Sequence, residues 1–473
     1  MATKNDLNHQ GLPGLYQESF SKEILSARRA IVSSQLENSG MAIIQGAPRP
    51  SGSVLFRQTN DMYYLSGVEV PHAYLTISGQ NNFSILYLPH LNPGAERDEG
   101  KSLNASENIM VTELVGVDSV RPLEALPHDL SLFVLKTNKP KFYTPMRGPE
   151  LGSESRDGIL KAIAYSLADP WRKSVSTPSF FINKLKGAFP EAVFADLSPM
   201  LDAMREQKDT REIEVLRIAG ELCAQGITEA MRSTIPGIFE YQLAAVASFL
   251  FNQGGARGEG YRAIVATGKN AWHGHYGKLN SELTDGELVL MDFAPDFAYY
   301  TSDIGRMWPV NGKFSSEQRT LYSFIVKYHR SLLEQTRPGR VPNQIMDDVA
   351  ARMSKVIDET KFANDSQKQA ASKALDFRGH FSHPVGMSVH DIGEYRNRPL
   401  SEGTVFSVDP MMWIEDEKSY IRCEDTVVIT KDGYENLTSS APLDCDEIED
   451  VMKEPGILQK LHESTKQEAT NEK

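Results

Sequence analysis

From about residue 17 to 185 the chain alternates short apolar runs with longer stretches of mixed polarity. Met41–Ile44, Ala73–Ile77, Phe83–Leu88 and Ser131–Leu135 each have the length of a buried strand, and the crossovers between them predict an α/β layer structure. From about Leu197 to Met231 the pattern lengthens. Ile213, Leu216, Ile218, Ala219 and Leu222 recur at three- and four-residue spacing, which predicts a long helical run. Its charged start, Arg205-Glu206-Gln207-Lys208-Asp209, reads as a hinge or as the exposed face of a connecting helix. Beyond it the texture changes to paired strands with turns, around 287–310 and again around 403–430, with helices at about 316–336 and 343–375 between them. Three segments follow: an N-terminal domain over 1–190, a second domain over 191–454, and a polar tail rich in Lys, Glu, Gln and Thr over 455–473.

A chain of 473 residues exceeds what one core usually organises, which agrees with two domains. The net charge of −13 repels phosphate backbones and anionic lipid, so neither nucleic acid nor a membrane surface is an expected partner. A small substrate fits better. The first residues, MATKNDLNHQ, hold no apolar core of a signal segment, and no later stretch offers about 18 consecutive apolar residues. Cys223, Cys423 and Cys445 are odd in number and widely spaced, which suits free thiols. These features together predict a cytoplasmic protein.

The chemistry is signalled by acids in apolar strands. Asp292 closes the run Glu287-Leu288-Val289-Leu290-Met291, on the face that periodicity assigns to Leu288 and Leu290, where an unpaired charge is costly. After a turn at Ala294–Phe297 the chain returns to Asp303, so the two aspartates can face each other across a hairpin. A lone acid pair would equally suit a turn cap in solvent. This pair has company: Asp409 closes Thr404–Val408, and Glu424 and Asp425 open the run Thr426–Ile429. Between the hairpins, Ser382–Asp391 supplies His383 and His390, one of which could be a ligand and the other a hydrogen-bond donor. Oxygen and nitrogen ligands without thiolate suit two ions of manganese, cobalt or zinc about 3.5–4 Å apart, and argue against structural zinc. His329, on a predicted helix, reads as a surface or satisfied core residue.

At these residues the chain resembles the metallopeptidase family with the pita-bread fold, which includes aminopeptidase P, prolidase and methionine aminopeptidase, with creatinase as a metal-free relative. The resemblance extends over Ser302-Asp303-Ile304-Gly305-Arg306, Trp308–Phe314 and Ile421–Asp425. Upstream, Phe56–Gly67 is similar to the N-terminal domain that aminopeptidase P and prolidase carry and methionine aminopeptidases lack. It implies a creatinase-like α/β N-terminal domain followed by a pita-bread α+β catalytic domain. It implies Asp292, Asp303, His383, Asp409 and Glu424 as ligands of two divalent ions, manganese first with zinc or cobalt as alternatives. The implied substrate is a small peptide with proline in second position, cut by an acidified water shared between ions that Asp303 and Glu424 bridge.

The resemblance further implies that Asp409 takes the water proton, that His275 assists at the oxyanion and that His390 contacts the substrate. Arg422 reads as an orienter of ligand carboxylates, and His273 has a weaker claim. Tyr276, Tyr300 and Trp413 are candidates to receive the proline ring. Homodimers or homotetramers are expected from the same resemblance. Two positions depart from the family pattern. Asp409 stands where glutamate is usual, shorter by about 1.5 Å. Gly379 stands where a histidine often precedes the ligand histidine by four, with His380 one place later. The expected activity is that of an Xaa-Pro aminopeptidase; the alternatives are an Xaa-Pro dipeptidase (prolidase), a small-amide hydrolase, or a metal-binding relative without turnover.

Overall fold

The expected strands at 41–44, 73–77 and 83–88 form, and three more join them in a sheet of order β4-β3-β2-β1-β5-β6. These are β1 (Gly40–Gln45), β2 (Tyr74–Ser78), β3 (Ser84–Leu88), β4 (Ser119–Pro122), β5 (Lys141–Thr144) and β6 (Val193–Asp196). β1–β2 and β2–β3 are antiparallel; β3–β4, β1–β5 and β5–β6 are parallel. The computed structural model describes residues 14–151, 154–171 and 177–461. The N-terminal decapeptide and most of the expected polar tail, 462–473, lie outside them.

Ser131–Leu135 is not a strand. It belongs to the helix Leu126–Lys136, which buries Leu126, Leu130 and Val134 against Ile43 and Phe142 and leaves Leu135 exposed. The four-residue spacing of those three residues is helical, and it is invisible in a five-residue window.

Chain contacts divide the molecule into two units, Met1–Arg205 and Glu206–Lys473, with position 190 inside the first. The run expected over 197–231 is two helices, Ser198–Glu206 and Thr210–Ser233. Asp209 caps the second, its carboxylate accepting from Glu212 N while Glu212 accepts from Asp209 N. The charged stretch at their junction is exposed at Gln207 and Asp209 but buries Arg205 and Lys208. Arg205 is 1% exposed and its Nη1 donates to Asp61 (2.9 Å) and Glu150 (3.2 Å), all within the first unit. That pairing accounts for the motif at 56–67. Thr59 caps the helix Asn60–Ser66, which presents Asp61, and Gly67 ends it at φ 64°, where a Cβ would lie 2.7 Å from the Tyr16 hydroxyl.

The second unit is built on an antiparallel sheet of order β10-β11-β14-β9-β8-β7, with β15 (Tyr434–Asn436) also beside β14. Its members are β7 (Ile264–Thr267), β8 (Leu288–Asp292), β9 (Ile304–Pro309), β10 (Phe381–Pro384), β11 (Val405–Val408) and β14 (Glu424–Ile429). A separate hairpin joins β12 (Met411–Ile414) to β13 (Ser419–Arg422). The helices Thr210–Ser233 and Glu240–Gln253 pack on each other and on β9 and β7. Ser316–Gln335 packs on β11 and β13, and the stretch expected at 343–375 is two helices, Pro342–Glu359 and Asp365–Asp376. Among the described residues no helix is long and apolar enough to cross a membrane.

Gly220 lies inside the helix Thr210–Ser233, where a Cβ would stand 2.4 Å from the Leu437 carbonyl oxygen. Alanine ordinarily improves a helix interior by about 1 kcal/mol over glycine. Here the obstacle is backbone, so Gly220→Ala is expected to lower Tm by about 2–4 °C, the scale of an overpacking cost of 1–2 kcal/mol above that gain. A raised Tm in thermal unfolding would contradict the close approach.

Candidate metal centre

Asp292 ends β8 and Asp303 immediately precedes β9. In the β8–β9 ladder Asp292 lies opposite Gly305, so Asp303, two residues earlier, shares its face and meets it diagonally. The turn between them is tight. Phe297 and Tyr300 exchange backbone hydrogen bonds (2.8 and 2.9 Å) around Ala298 at φ 51° and Tyr299 at φ 73°. Two positive φ values in that position mark a type I′ turn, which usually employs Asn-Gly. Tyr299 adopts it fully buried, its N–H bonded to Asp296 Oδ1 and Arg257 lying over its ring.

On the other side of β9 lies β14, with Glu424 opposite Gly305. A Cβ at 305 would press on Glu424 Cβ at 3.1 Å and on Arg422 Nε at 3.2 Å, so glycine opens the room that both side chains use. Beyond β14, β11 leads into Asp409, whose N–H donates to His380 O, and β10 supplies His383 at an irregularity in the β10–β11 ladder. Five expected ligands thus come together from β8, β9, β10, β11 and β14. Asp292, Asp303, Asp409 and Glu424 are 5%, 3%, 3% and 0% exposed.

Two groups hold these carboxylates. Tyr261, ahead of β7, donates its hydroxyl between Asp292 Oδ1 (2.6 Å) and Asp303 Oδ1 (2.9 Å). Arg422, ending β13, donates Nε to Asp409 Oδ1 (3.0 Å) and Nη1 to Asp292 Oδ2 (3.0 Å); its Nη2 reaches Asp409 Oδ2 (2.9 Å) and Glu424 Oε2. Burial alone would pull the Arg422 pKa down, but Asp409 and Glu424 reverse this and raise it. Burial raises the carboxyls of Asp303, Asp409 and Glu424 well above the usual range; Asp292 adds to the effect at Asp303, while Arg422 opposes it at all three.

Burial also lowers His383 to about 4, so the ring is neutral at pH 7. Its Nδ1 lies 3.1 Å from Pro384 O, which assigns the ring proton to Nδ1 and leaves a lone pair on Nε2. That lone pair faces Asp303 Oδ2 at 3.2 Å. Two acceptors so placed call for a proton or a cation between them. Ligand atoms of Asp303, His383 and Glu424 lie within 4.8 Å of one another, and Glu424 Oε1 is buried without a hydrogen-bond partner. The donor set fits hard or borderline divalent ions.

The other histidines named from the sequence separate into two groups. His390 lies with its ring centre 3.9 Å from that of His383, and His275 follows 6.2 Å further on, exposed, so the rings lead from the buried acids toward solvent. His273 is exposed as well. His380 is core: fully buried, bonded to Ala374 O, edge-on to Tyr328 and Phe377, and lowered by burial to about 4. It does not replace the histidine missing at Gly379. His329 is also buried, with Nε2 3.2 Å from Asp425 Oδ2. Tyr300 is held in the interior by Glu212 (2.7 Å), and Trp413 packs between Phe377 and Tyr420. No hydrophobic or charge pattern in the sequence marks Tyr261. Its one signal is Gly260, where a Cβ would strike Thr301 Oγ1 at 2.1 Å, and that becomes visible only in the fold.

Residues 214–431 match metallopeptidase family M24, and residues 25–143 match the N-terminal domain of aminopeptidase P. The Xaa-Pro aminopeptidase of Escherichia coli (strain K12) is 30% identical over 92% of this chain and 98% of its own; that of Haemophilus influenzae is 29% identical over 92% and 99%. Among solved structures, proline aminopeptidase P II from Yersinia pestis superposes with a TM-score of 0.74 at 29% identity, covering 92% of this chain and all of its own. Aminopeptidase P from E. coli in its low-pH form gives 0.75 at 28%, covering 92% and 98%.

Raised carboxyls make the metal-free fold favour their protonated forms. That stability is fully present below the ordinary carboxylate pKa of about 4 and is lost as pH rises through the raised values. Metal binding takes the ionised ligands and runs the opposite way. The Tm difference between manganese-saturated and chelator-treated protein is therefore expected to widen from pH 5 to pH 8. A flat or narrowing difference in calorimetric scans would contradict the buried-carboxylate arrangement.

Proposed function

The chain belongs to metallopeptidase family M24 and carries the N-terminal domain of aminopeptidase P, and from this we propose that it removes the N-terminal residue from peptides with proline in second position. The observation that carries the reading is the pair of facing acceptors, His383 Nε2 and Asp303 Oδ2, amid buried acids. Asp292, Asp303, His383, Asp409 and Glu424 would hold two divalent ions, manganese first with zinc or cobalt as alternatives, which supply Lewis acidity toward the scissile carbonyl and toward a shared water.

The chain's own residues do the rest. Asp409 accepts the water proton on a carboxylate oxygen, and Arg422, touching both of its oxygens, fixes the plane in which that oxygen is offered. Tyr261 and Arg422 together hold Asp292 in place between two donors. In this reading His275 donates to the carbonyl oxygen and His390 contacts the peptide around the cut bond, supported by the row of rings that follows His383 toward solvent. A bond before proline has no N–H, so recognition on that side rests on shape. Of the three aromatic candidates, Tyr300 and Trp413 are committed to the packing already described, and Tyr276, next to His275 in sequence, is buried with its hydroxyl on Asn280 (3.2 Å).

The proposal extends to a homodimer or homotetramer. It is supported by the helix Arg156–Ala168, which buries none of its own residues and exposes Leu160 and Leu167 by 62% and 80%. The cytoplasm is the compartment of this reading, supported by the three buried free thiols. A second reading, metal binding without turnover, draws on one observation: both Asp409 oxygens are already engaged by Arg422, and the side chain is short.

With manganese added, an Xaa-Pro tripeptide is expected to be cut at its first bond alongside an Xaa-Pro dipeptide. Cleavage of the dipeptide alone would make the protein a prolidase. Asp409→Glu is expected to change kcat by less than about tenfold, under about 1.4 kcal/mol of barrier. If the wild type binds two metal equivalents yet leaves both peptides intact, and the variant cuts them, the second reading replaces the first.

A further inference from the structure

We propose that Lys208 is a positioning residue for the loop that carries His390: its ammonium, paired with Asp391 inside the protein, sets where the His390 ring stands beside His383. The inference rests on the reading above only in treating His390 as a group that meets the substrate.

Lys208 sits in the short connection before the helix Thr210–Ser233, and its Nζ donates to Asp391 Oδ2 at 3.0 Å with both side chains 1% exposed. Lysine is rarely buried to that extent. An ion pair withdrawn from water gains little net stability, because desolvation offsets the attraction, and its best-attested use is to impose a unique register. The surroundings suit that use. The loop 384–391 is closed at its neck by Asp391 N–H on Pro384 O (3.0 Å), and Thr301 N–H, two residues before Asp303, donates to Gly386 O (2.9 Å). A Cβ on Gly386 would lie 2.1 Å from Asp391 Oδ2 and 2.8 Å from Lys208 Cε, so the loop backbone is wrapped onto the ion pair itself.

The other end of the lever is fixed as firmly. Lys208 N–H donates to Gly403 O (2.9 Å), Gln207 Nε2 donates to Glu402 O (2.6 Å), and Gln207 forms a β-bridge with Thr404 just ahead of β11. Main-chain bonds therefore hold Lys208 to the strand that leads into Asp409, while its side chain holds the loop that ends in His390-Asp391. His390 is one residue from the anchored carboxylate, with its ring 3.9 Å from that of His383. Releasing Asp391 is expected to loosen His390, whereas the expected metal ligands lie in strands or at strand ends.

The test separates positioning from stability. Lys208→Met and Asp391→Val alone each strand a buried charge and are expected to lower Tm markedly; the double variant replaces the pair by apolar groups and is expected to recover Tm to near wild type. In that recovered protein, kcat on an Xaa-Pro tripeptide is expected to remain at least tenfold down, with hydrogen exchange of the amides in 385–391 at least tenfold faster. Recovery of kcat together with Tm would make the pair merely structural and overturn the proposal. If the double variant does not fold, Gly386→Ala keeps both charges and displaces the Asp391 carboxylate. It is expected to lower kcat at least tenfold while manganese affinity stays within about threefold, and an unchanged kcat would overturn the proposal. Should the wild type cut no proline peptide, the functional reading fails on its own account. The exchange measurement then still decides: faster exchange in 385–391 supports the role of Lys208, and unchanged exchange overturns it.

Discussion

The second unit is organised around a concentration of negative charge that water does not reach. Four carboxylates lie at the centre of one sheet, and Arg422 is the cation that touches three of them. With all four ionised against one guanidinium the cluster carries a deficit of three positive charges, an arrangement that a low-dielectric interior tolerates only with protons or cations. Much else follows from this. Gly305 makes room where Arg422 and Glu424 crowd β9, the Tyr261 hydroxyl separates two aspartates, and the carboxyls of Asp303, Asp409 and Glu424 shift toward their neutral forms. Divalent ions, which family M24 implies, would supply that charge balance, and the fold is the frame that keeps the acids together.

A second cluster sits behind the first and shows the same physics with a different resolution. Arg306 donates to Asp425 (2.7 Å) and to the carbonyl of Gly305, and Thr438 adds a hydroxyl to Asp425 (2.6 Å). Burial opposes ionisation of Asp425, yet Arg306 and His329 overcome it and its pKa is lowered. Adjacent residues of β14 therefore behave oppositely: Glu424 is pushed up and Asp425 is held down. The difference lies in the share of a cation that each receives, since both are fully buried.

How much of this the sequence disclosed depends on where the controlling partner lies. Acids ending apolar runs stand out because burial penalises charge, so Asp292, Asp303, Asp409 and Glu424 are conspicuous without a fold, and the strands carrying them were legible from the same runs. Tyr261 and Gly305 were not, because nothing local distinguishes a tyrosine that bonds residues 31 and 42 positions away. Arg205 and Lys208 are concealed for a related reason. A charged stretch normally faces solvent, and only partners as distant as Asp61 and Asp391 reveal it as interior. His380 lies next in sequence to the departure at Gly379, and only its packing against Tyr328 shows that it belongs to the core. The helix at 126–136 hid inside a window too short to show its period.

The hairpin between Asp292 and Asp303 acts like a caliper with a locked screw. Its turn holds Ala298 and Tyr299 in left-handed backbone geometry, and the Tyr299 ring is sealed in the interior, so the turn cannot relax without taking the ring out of its packing. The opening between the two aspartates is consequently a property of the chain rather than of its occupant. Under the proposed function, ions of different radius would meet the same gap, and accommodation would fall to their own coordination shells.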